Sequence, residues 1–141
     1  MNSQPPVPSL RLLEALWWAF LASALAIPVL IGLALTPQAE APAWAQALFL
    51  GGLVASLPPW LVKRHFDERM GQAAFRGLPE GERRRAVQVV MIVGLAISEF
   101  PMYAGVAHYL VSGQAIGITI LTLISVALML LFHPSRILRA R

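Results

Sequence analysis

Long stretches without a charged side chain decide what this chain can fold into. Ala15–Ala39 and Ala41–Val62 carry none, and Ala86–Ser135 carries only Glu99. A helix crossing the roughly 30 Å hydrocarbon core of a bilayer needs about 20 apolar residues. The first two stretches hold one crossing each. The third holds two, divided at Ser112-Gly113-Gln114. The predicted spans are about 13–35, 43–62, 87–111 and 115–133. The apolar runs are continuous, with no alternation at period two, so they read as helices and not as barrel strands. The expected fold is all-α: a polytopic membrane protein of four transmembrane helices. It has a short Pro-rich tail (1–9), one transmembrane domain (10–141) and a connection over 63–86.

Composition narrows the function classes. The chain is 57% apolar and 13% charged over 141 residues. A soluble domain is about 45–50% apolar and about 25% charged. An ordinary cytosolic enzyme, a disordered tail and a nucleic-acid module are excluded on that ground. Cysteine is absent, which removes disulfide frameworks, thiol redox pairs and thiolate metal sites.

Orientation follows from the eleven Lys and Arg residues. Arg11 precedes span 1. Lys63, Arg64, Arg69, Arg76, Arg83, Arg84 and Arg85 lie between spans 2 and 3, and Arg136, Arg139 and Arg141 follow span 4. All fall on one side of a four-span topology. By the positive-inside rule that side is the cytoplasm, giving N-in/C-in in the inner membrane. The Arg83–Arg85 run is a candidate contact for lipid headgroups. Gln38-Ala39-Glu40-Ala41 offers a small-x-small cleavage site. The apolar run before it exceeds the about 7–15 residues of a signal-peptide core, so an uncleaved span is expected.

Pro28, Pro58-Pro59 and Pro101 fall inside spans 1, 2 and 3, where each removes an N–H donor and is expected to kink its helix. Beyond Val62, Phe66, Met70 and Ala73 form a short apolar stripe beside Asp67, Glu68 and Arg69. This predicts a helical extension packed on its neighbour, with membrane-surface contact as the alternative. Pro79, Glu80 and Glu82 suit the first turn of the third helix.

Glu99 is the midpoint of the third span, near the bilayer centre. An acidic residue at that depth costs about 2.5–3.5 kcal/mol on insertion scales, faces other helices and needs a partner. Desolvation penalises the charged form, so the neutral acid is expected. Polar groups at the same depth are Ser23, Ser56, Thr122 and Ser125. Thr122 and Ser125 share a face of span 4, and a short hairpin brings spans 3 and 4 together. Glu99 is therefore expected to bond Thr122 or Ser125, with Tyr103, one turn along its own helix, as a second candidate.

Small residues mark expected close packing: Gly94, Ser98, Pro101 and Gly105 on span 3, Gly51 and Gly52 on span 2, and Gly113 and Gly117 at the start of span 4. His108 is about half a turn out of phase with Glu99 and reads as an interfacial residue in an aromatic belt. His65 and His133 sit at the basic ends of spans 2 and 4. Neither a bis-His haem nor a metal site is expected from these three. Trp17, Trp18, Trp44 and Trp60 read as interface anchors.

Residues 94–111, GLAISEFPMYAGVAHYLV, resemble the third span of a group of small bacterial four-span inner-membrane proteins of unassigned function. The shared elements are Ala-x-x-Glu-x-Pro followed by an aromatic residue and Gly, then Pro-x-Arg after the fourth span. Here these are Ala96, Glu99, Pro101, Tyr103 and Gly105, then Pro134 and Arg136. Gly94, Ala96, Glu99 and Pro101 are also similar to the acid-bearing helix of the c subunit of rotary ATP synthases. Span 2 lacks that subunit's Gly-x-Gly repeat, its Arg-Gln-Pro loop is absent and two further spans are present. The resemblance implies a similar use of one buried carboxylic acid, not a rotary ring.

These features give a first expectation of a structural or accessory component of a membrane assembly, with Glu99 holding helices together. The alternative is a small proton- or cation-coupled transporter, or proton-carrying subunit, using Glu99 as its site. Enzyme chemistry and cofactors are not expected, because the sequence offers no nucleophile–base pair, metal-ligand cluster or phosphate loop. The expected partners are the lipid bilayer, a second copy or a larger membrane complex, and not nucleic acid.

Overall fold

The computed structural model describes residues 9–37 and 42–135. The tail through Pro8, the small-x-small motif at 38–41, and Arg136, Arg139 and Arg141 lie outside them. All regular structure among the described residues is helical: α1 (Leu10–Ala34), α2 (Ala45–Val54), α3 (Leu57–Met70), α4 (Ala73–Arg76), α5 (Glu80–Ser98), α6 (Phe100–Ser112) and α7 (Ala115–Leu131). These make four rods. Three are long and apolar enough to cross a membrane: Leu10–Ala34, Ala45–Met70 and Glu80–Ser112. The fourth, α7, is apolar but only 17 residues long. It stops at Leu131, short of the 133 expected from composition, because Phe132 leaves helical geometry.

Local chemistry sets the ends. The Ser9 side chain accepts from the Leu12 N–H and caps α1. Pro28 is accommodated inside α1, which runs unbroken past it. The second rod breaks instead of kinking: Ala55 and Ser56 form a turn, and Pro58 and Pro59 sit in the first turn of α3, where no N–H is required. α3 continues to Met70 and buries Phe66, against which the Phe75 ring stands edge-on at 6.1 Å. Glu80 and Glu82 occupy the first turn of α5, opposite the positive end of its dipole. Gly113 closes α6 at φ 70°, a left-handed conformation that glycine adopts without a Cβ clash, and turns the chain into α7.

α7 touches α1, α2, α3, α5 and α6, so every other rod packs against it. Glycines let it sit there. A Cβ on Gly105 would stand 3.1 Å from the Ile118 Cα, and one on Gly52 would stand 2.7 Å from Leu121 Cδ1. At Gly94 and Gly117 the same addition would overlap the Phe132 and His108 rings. Gly51 is a correction to the expected packing set. It faces open space, with nothing within 4 Å of an added Cβ. It stands about 100° round α2 from Gly52, so only one of the two can meet the neighbouring helices.

Two apolar clusters divide the bundle along its length. Leu13, Trp17, Phe66, Val87, Met91, Met129 and Phe132 gather at one end. Met102, Val106 and Ile118, with Ile27 and Ile31, fill the other. The start of α1, the end of α3, the start of α5 and the end of α7 therefore share one end, and the rods alternate in direction. The described basic residues flank that end. Trp17 is a second correction. It is 3% exposed and donates its indole N–H to the Met129 carbonyl at 2.9 Å, so it is a core pin between α1 and α7, not an interface anchor. Trp18, Trp44 and Trp60 are exposed. The outer face of α1 is bare hydrocarbon, with Leu33 82% exposed beside Val29 and Leu30. That suits lipid and not water.

Candidate functional site: a broken helix and its carboxyl group

Between the two clusters the third rod is interrupted. α5 ends at Ser98 and α6 begins at Phe100, with Pro101 in its first turn. Pro101 has no N–H to give. The Glu99 N–H reaches Ala96 O at 3.3 Å, a tightened i−3 contact, and the Met102 N–H leaves the helix altogether. It donates to Ser125 Oγ of α7 at 2.9 Å. A side chain of α7 thus satisfies the backbone freed by the break, as a buried donor requires. Ser98 is fully buried and donates to Gly94 O at 2.6 Å.

Glu99 lies at this break, half-buried. Its carboxyl turns away from α7 and toward α1. Ser23 Oγ donates to Glu99 Oε1 at 2.8 Å, and the Tyr103 hydroxyl donates to Oε2 at 3.1 Å. The expected bond to Thr122 or Ser125 is replaced by one to span 1. The physical reason is helix phase. Ser98, Met102 and Gly105, spaced i, i+4 and i+7, face inward, and Gly105 meets α7 at Ile118. Glu99 is about 100° round the helix from Ser98 and so meets a different neighbour. Ser125 is occupied by Met102, and the Thr122 hydroxyl is buried without a hydrogen-bond partner. Tyr103 is 45% exposed, so the seam between α1 and α6 opens toward the lipid side of the bundle.

The Ser23 hydroxyl carries one proton and faces two acceptors. Its Oγ is 2.8 Å from Phe20 O as well as 2.8 Å from Glu99 Oε1. One proton serves both in a three-centre hydrogen bond. Ser23 thereby donates to Glu99 Oε1 and to Phe20 O, and Tyr103 donates to Oε2. Every group is then satisfied.

Other polar residues are engaged elsewhere. His108 does not face outward in an aromatic belt: it is 4% exposed, its Nδ1 lies 2.9 Å from Ala45 O, and its ring lies on Gly117. It joins the α2 start to α6 and α7. The missing Cβ of Gly117 makes room for the ring, a pairing that no spacing along one helix reveals. His133 bonds Ser135 through Nδ1 and stands edge-on to Trp17, while His65 lines an open groove beside Glu68 and Arg69. Arg83, Arg84 and Arg85 are half-buried, and Arg84 pairs with Glu80. No group of three His, Asp or Glu gathers among the described residues.

Ser125→Ala removes the acceptor of the Met102 N–H in a place without water. The variant is expected to lose about 1–2 kcal/mol of stability in mild detergent, the cost of stranding one buried donor. Hydrogen exchange at the Met102 amide should accelerate with it. Unchanged exchange would mean that the break is satisfied by another group.

No known protein family, curated protein or solved structure matches the chain.

Proposed function

We propose that this chain is a multi-pass inner-membrane protein, N- and C-termini cytoplasmic, serving as a structural or accessory component of a membrane assembly. Glu99, as a neutral carboxylic acid, latches span 1 to the broken third span. The Ser23–Glu99 bond carries the proposal. It ties two rods 76 residues apart in sequence at mid-depth, where a hydrogen bond has no water to compete with. The similar Glu–x–Pro segments noted above support the use of a single buried acid. α7 counts as the fourth span in this proposal: its 17 residues rise about 26 Å, at the short limit for a crossing. No reaction is assigned to the protein, and Arg83–Arg85 rest against lipid headgroups.

A second function has one observation in its favour. The seam holding Glu99 opens toward lipid at Tyr103, and Ser23 holds its proton between two acceptors. A proton carrier needs both access and a relay.

Infrared spectroscopy separates the two. A latch keeps the carboxylic-acid band of Glu99 constant from mildly acid to mildly alkaline pH, whereas a carrier titrates it. The band is assigned by its loss in Glu99→Gln. A titrating band, together with proton flux in vesicles abolished by Glu99→Gln, would replace the latch by the carrier. Orientation is tested by single-cysteine labelling, which is clean because the chain contains no cysteine. Labels near residues 76 and 113 should react from opposite sides.

A further inference from the structure

We propose that the groove between α3 and the end of α7 binds the headgroup of a zwitterionic phospholipid carrying a primary ammonium, of the phosphoethanolamine type. The groove has a volume of about 430 Å³ and is lined by Trp60, Lys63, Arg64, Asp67, Glu68 and Leu131. On α3 these residues recur at i, i+3, i+4, i+7 and i+8, so they form one stripe. The stripe is ordered along the helix axis. Trp60, with Leu131 of α7 opposite, is aromatic and apolar. Next come two cations, Lys63 and Arg64, and then two carboxylates, Asp67 and Glu68.

A phosphoethanolamine lipid presents the complementary order outward from the bilayer: acyl chains and glycerol, then a phosphate anion, then a terminal ammonium. From Trp60 to Glu68 the helix rises about 12 Å. Headgroups occupy roughly 5–7 Å on each side of the hydrocarbon. With Trp60 at the hydrocarbon edge, Lys63 and Arg64 stand about 5–6 Å out, within the headgroup layer, and Asp67 and Glu68 about 10–12 Å out, on its aqueous side. Trp60 is exposed, as an aromatic anchor at that level is. The Arg64 guanidinium lies 5.7 Å over its ring, which holds this cation down at the boundary. Lys63 has most of its side chain covered, at 16% exposure, which limits where its ammonium can reach.

Charge balance selects the headgroup. Two cations and two carboxylates sum to zero, so the lining repels a purely anionic headgroup at its outer half. A choline headgroup has no N–H to give Asp67 or Glu68, whereas a primary ammonium has three. Lys63 bonds Asp67, and Arg64 bonds Glu68, along the helix. Such surface pairs contribute little on their own. A phosphate and an ammonium inserted between them turn two separate pairs into one alternating ring of charge. The stripe is distinct from Arg83–Arg85, which lie on α5 and carry no matching carboxylate order.

The full chain is purified in mild detergent and mixed with equimolar phosphatidylethanolamine, phosphatidylcholine and phosphatidylglycerol of matched acyl chains. Retained lipid is counted by native mass spectrometry. The natural protein should retain phosphatidylethanolamine several-fold over either competitor. Asp67→Asn/Glu68→Gln should erase that preference and raise phosphatidylglycerol retention several-fold, because the lining then carries +2. Replacing Arg83, Arg84 and Arg85 by Gln should lower phosphatidylglycerol retention alone. Equal retention of phosphatidylethanolamine and phosphatidylcholine by the natural protein overturns the proposal, and so does a preference that survives removal of both carboxylates. Preferred retention of phosphatidylglycerol by the natural protein also overturns it and makes the groove part of a general anionic-lipid surface. The comparison on the natural protein decides the matter even if the double variant fails to fold.

Discussion

Phe132→Ala is expected to lower the stability of the detergent-solubilised protein by about 3 kcal/mol, the low end for a buried Phe. The ring is fully buried and lies directly over Gly94, among Met91, Leu95 and Met129. In a membrane the unfolded reference keeps its side chains in an apolar solvent, so the transfer part of the cost shrinks while the cavity part remains. Gly94→Val overfills the same space and is expected to cost about 2–3 kcal/mol. The two changes are opposite in sign of volume and share one site. Gly94→Val/Phe132→Ala should therefore be more stable than the sum of the singles by at least about 1 kcal/mol. Thermal unfolding of the four proteins of this cycle gives the coupling. Strict additivity would mean that residue 94 and the ring at 132 do not compete for space.

Glu99→Leu is expected to cost about 1–2 kcal/mol, because Ser23 and Tyr103 lose their common acceptor at mid-depth. Glu99→Gln should be close to neutral. Its amide N–H can donate to Ser23 Oγ while Ser23 donates to Phe20 O, and its carbonyl accepts from Tyr103, so the contacts to both residues survive. Ser23→Ala removes only the span 1 half of the latch and should lose about 0.6 kcal/mol, the mean for a hydrogen bond between membrane helices. Thermal unfolding in mild detergent orders the three, and protease access to α1 reports whether the first rod has come loose. A Glu99→Leu protein as stable as the natural one would sink the latch.

The number of helices was readable in the sequence because lipid forbids both charge and open backbone, so every crossing leaves a charge-free stretch. Counting along the spans put Ser23 among four polar groups level with Glu99, and the two do meet. Which partner it takes was not readable. Helix phase is set by where α6 and α7 touch, and that depends on Gly105 meeting the Ile118 backbone. Chain proximity pointed to span 4, but the inward face of α6 was already taken by Ser98, Met102 and Gly105. His108 was hidden by the same kind of contact: its burial rests on a missing side chain at Gly117, on another helix. Trp17 looked like a boundary residue by its position in the span. Only its bond to the Met129 carbonyl shows that it faces inward.

The shortness of α7 has a consequence for the surrounding membrane. In the four-span arrangement, lipids beside Ile116, Ile120, Leu123 and Leu130, the exposed side of α7, meet a hydrophobic wall of about 26 Å. The third rod presents the longer run Ala86–Ser112, charged only at Glu99, whereas the second rod is apolar only from Ala45 to Val62 and is nearly as short as α7. The annulus is therefore uneven in thickness, with its thin sector fixed on one flank. Bilayer deformation costs a fraction of a kcal/mol per Å of mismatch, and two proteins reduce it by bringing thin sectors together. The membrane itself thus gives this small bundle a preferred direction of approach.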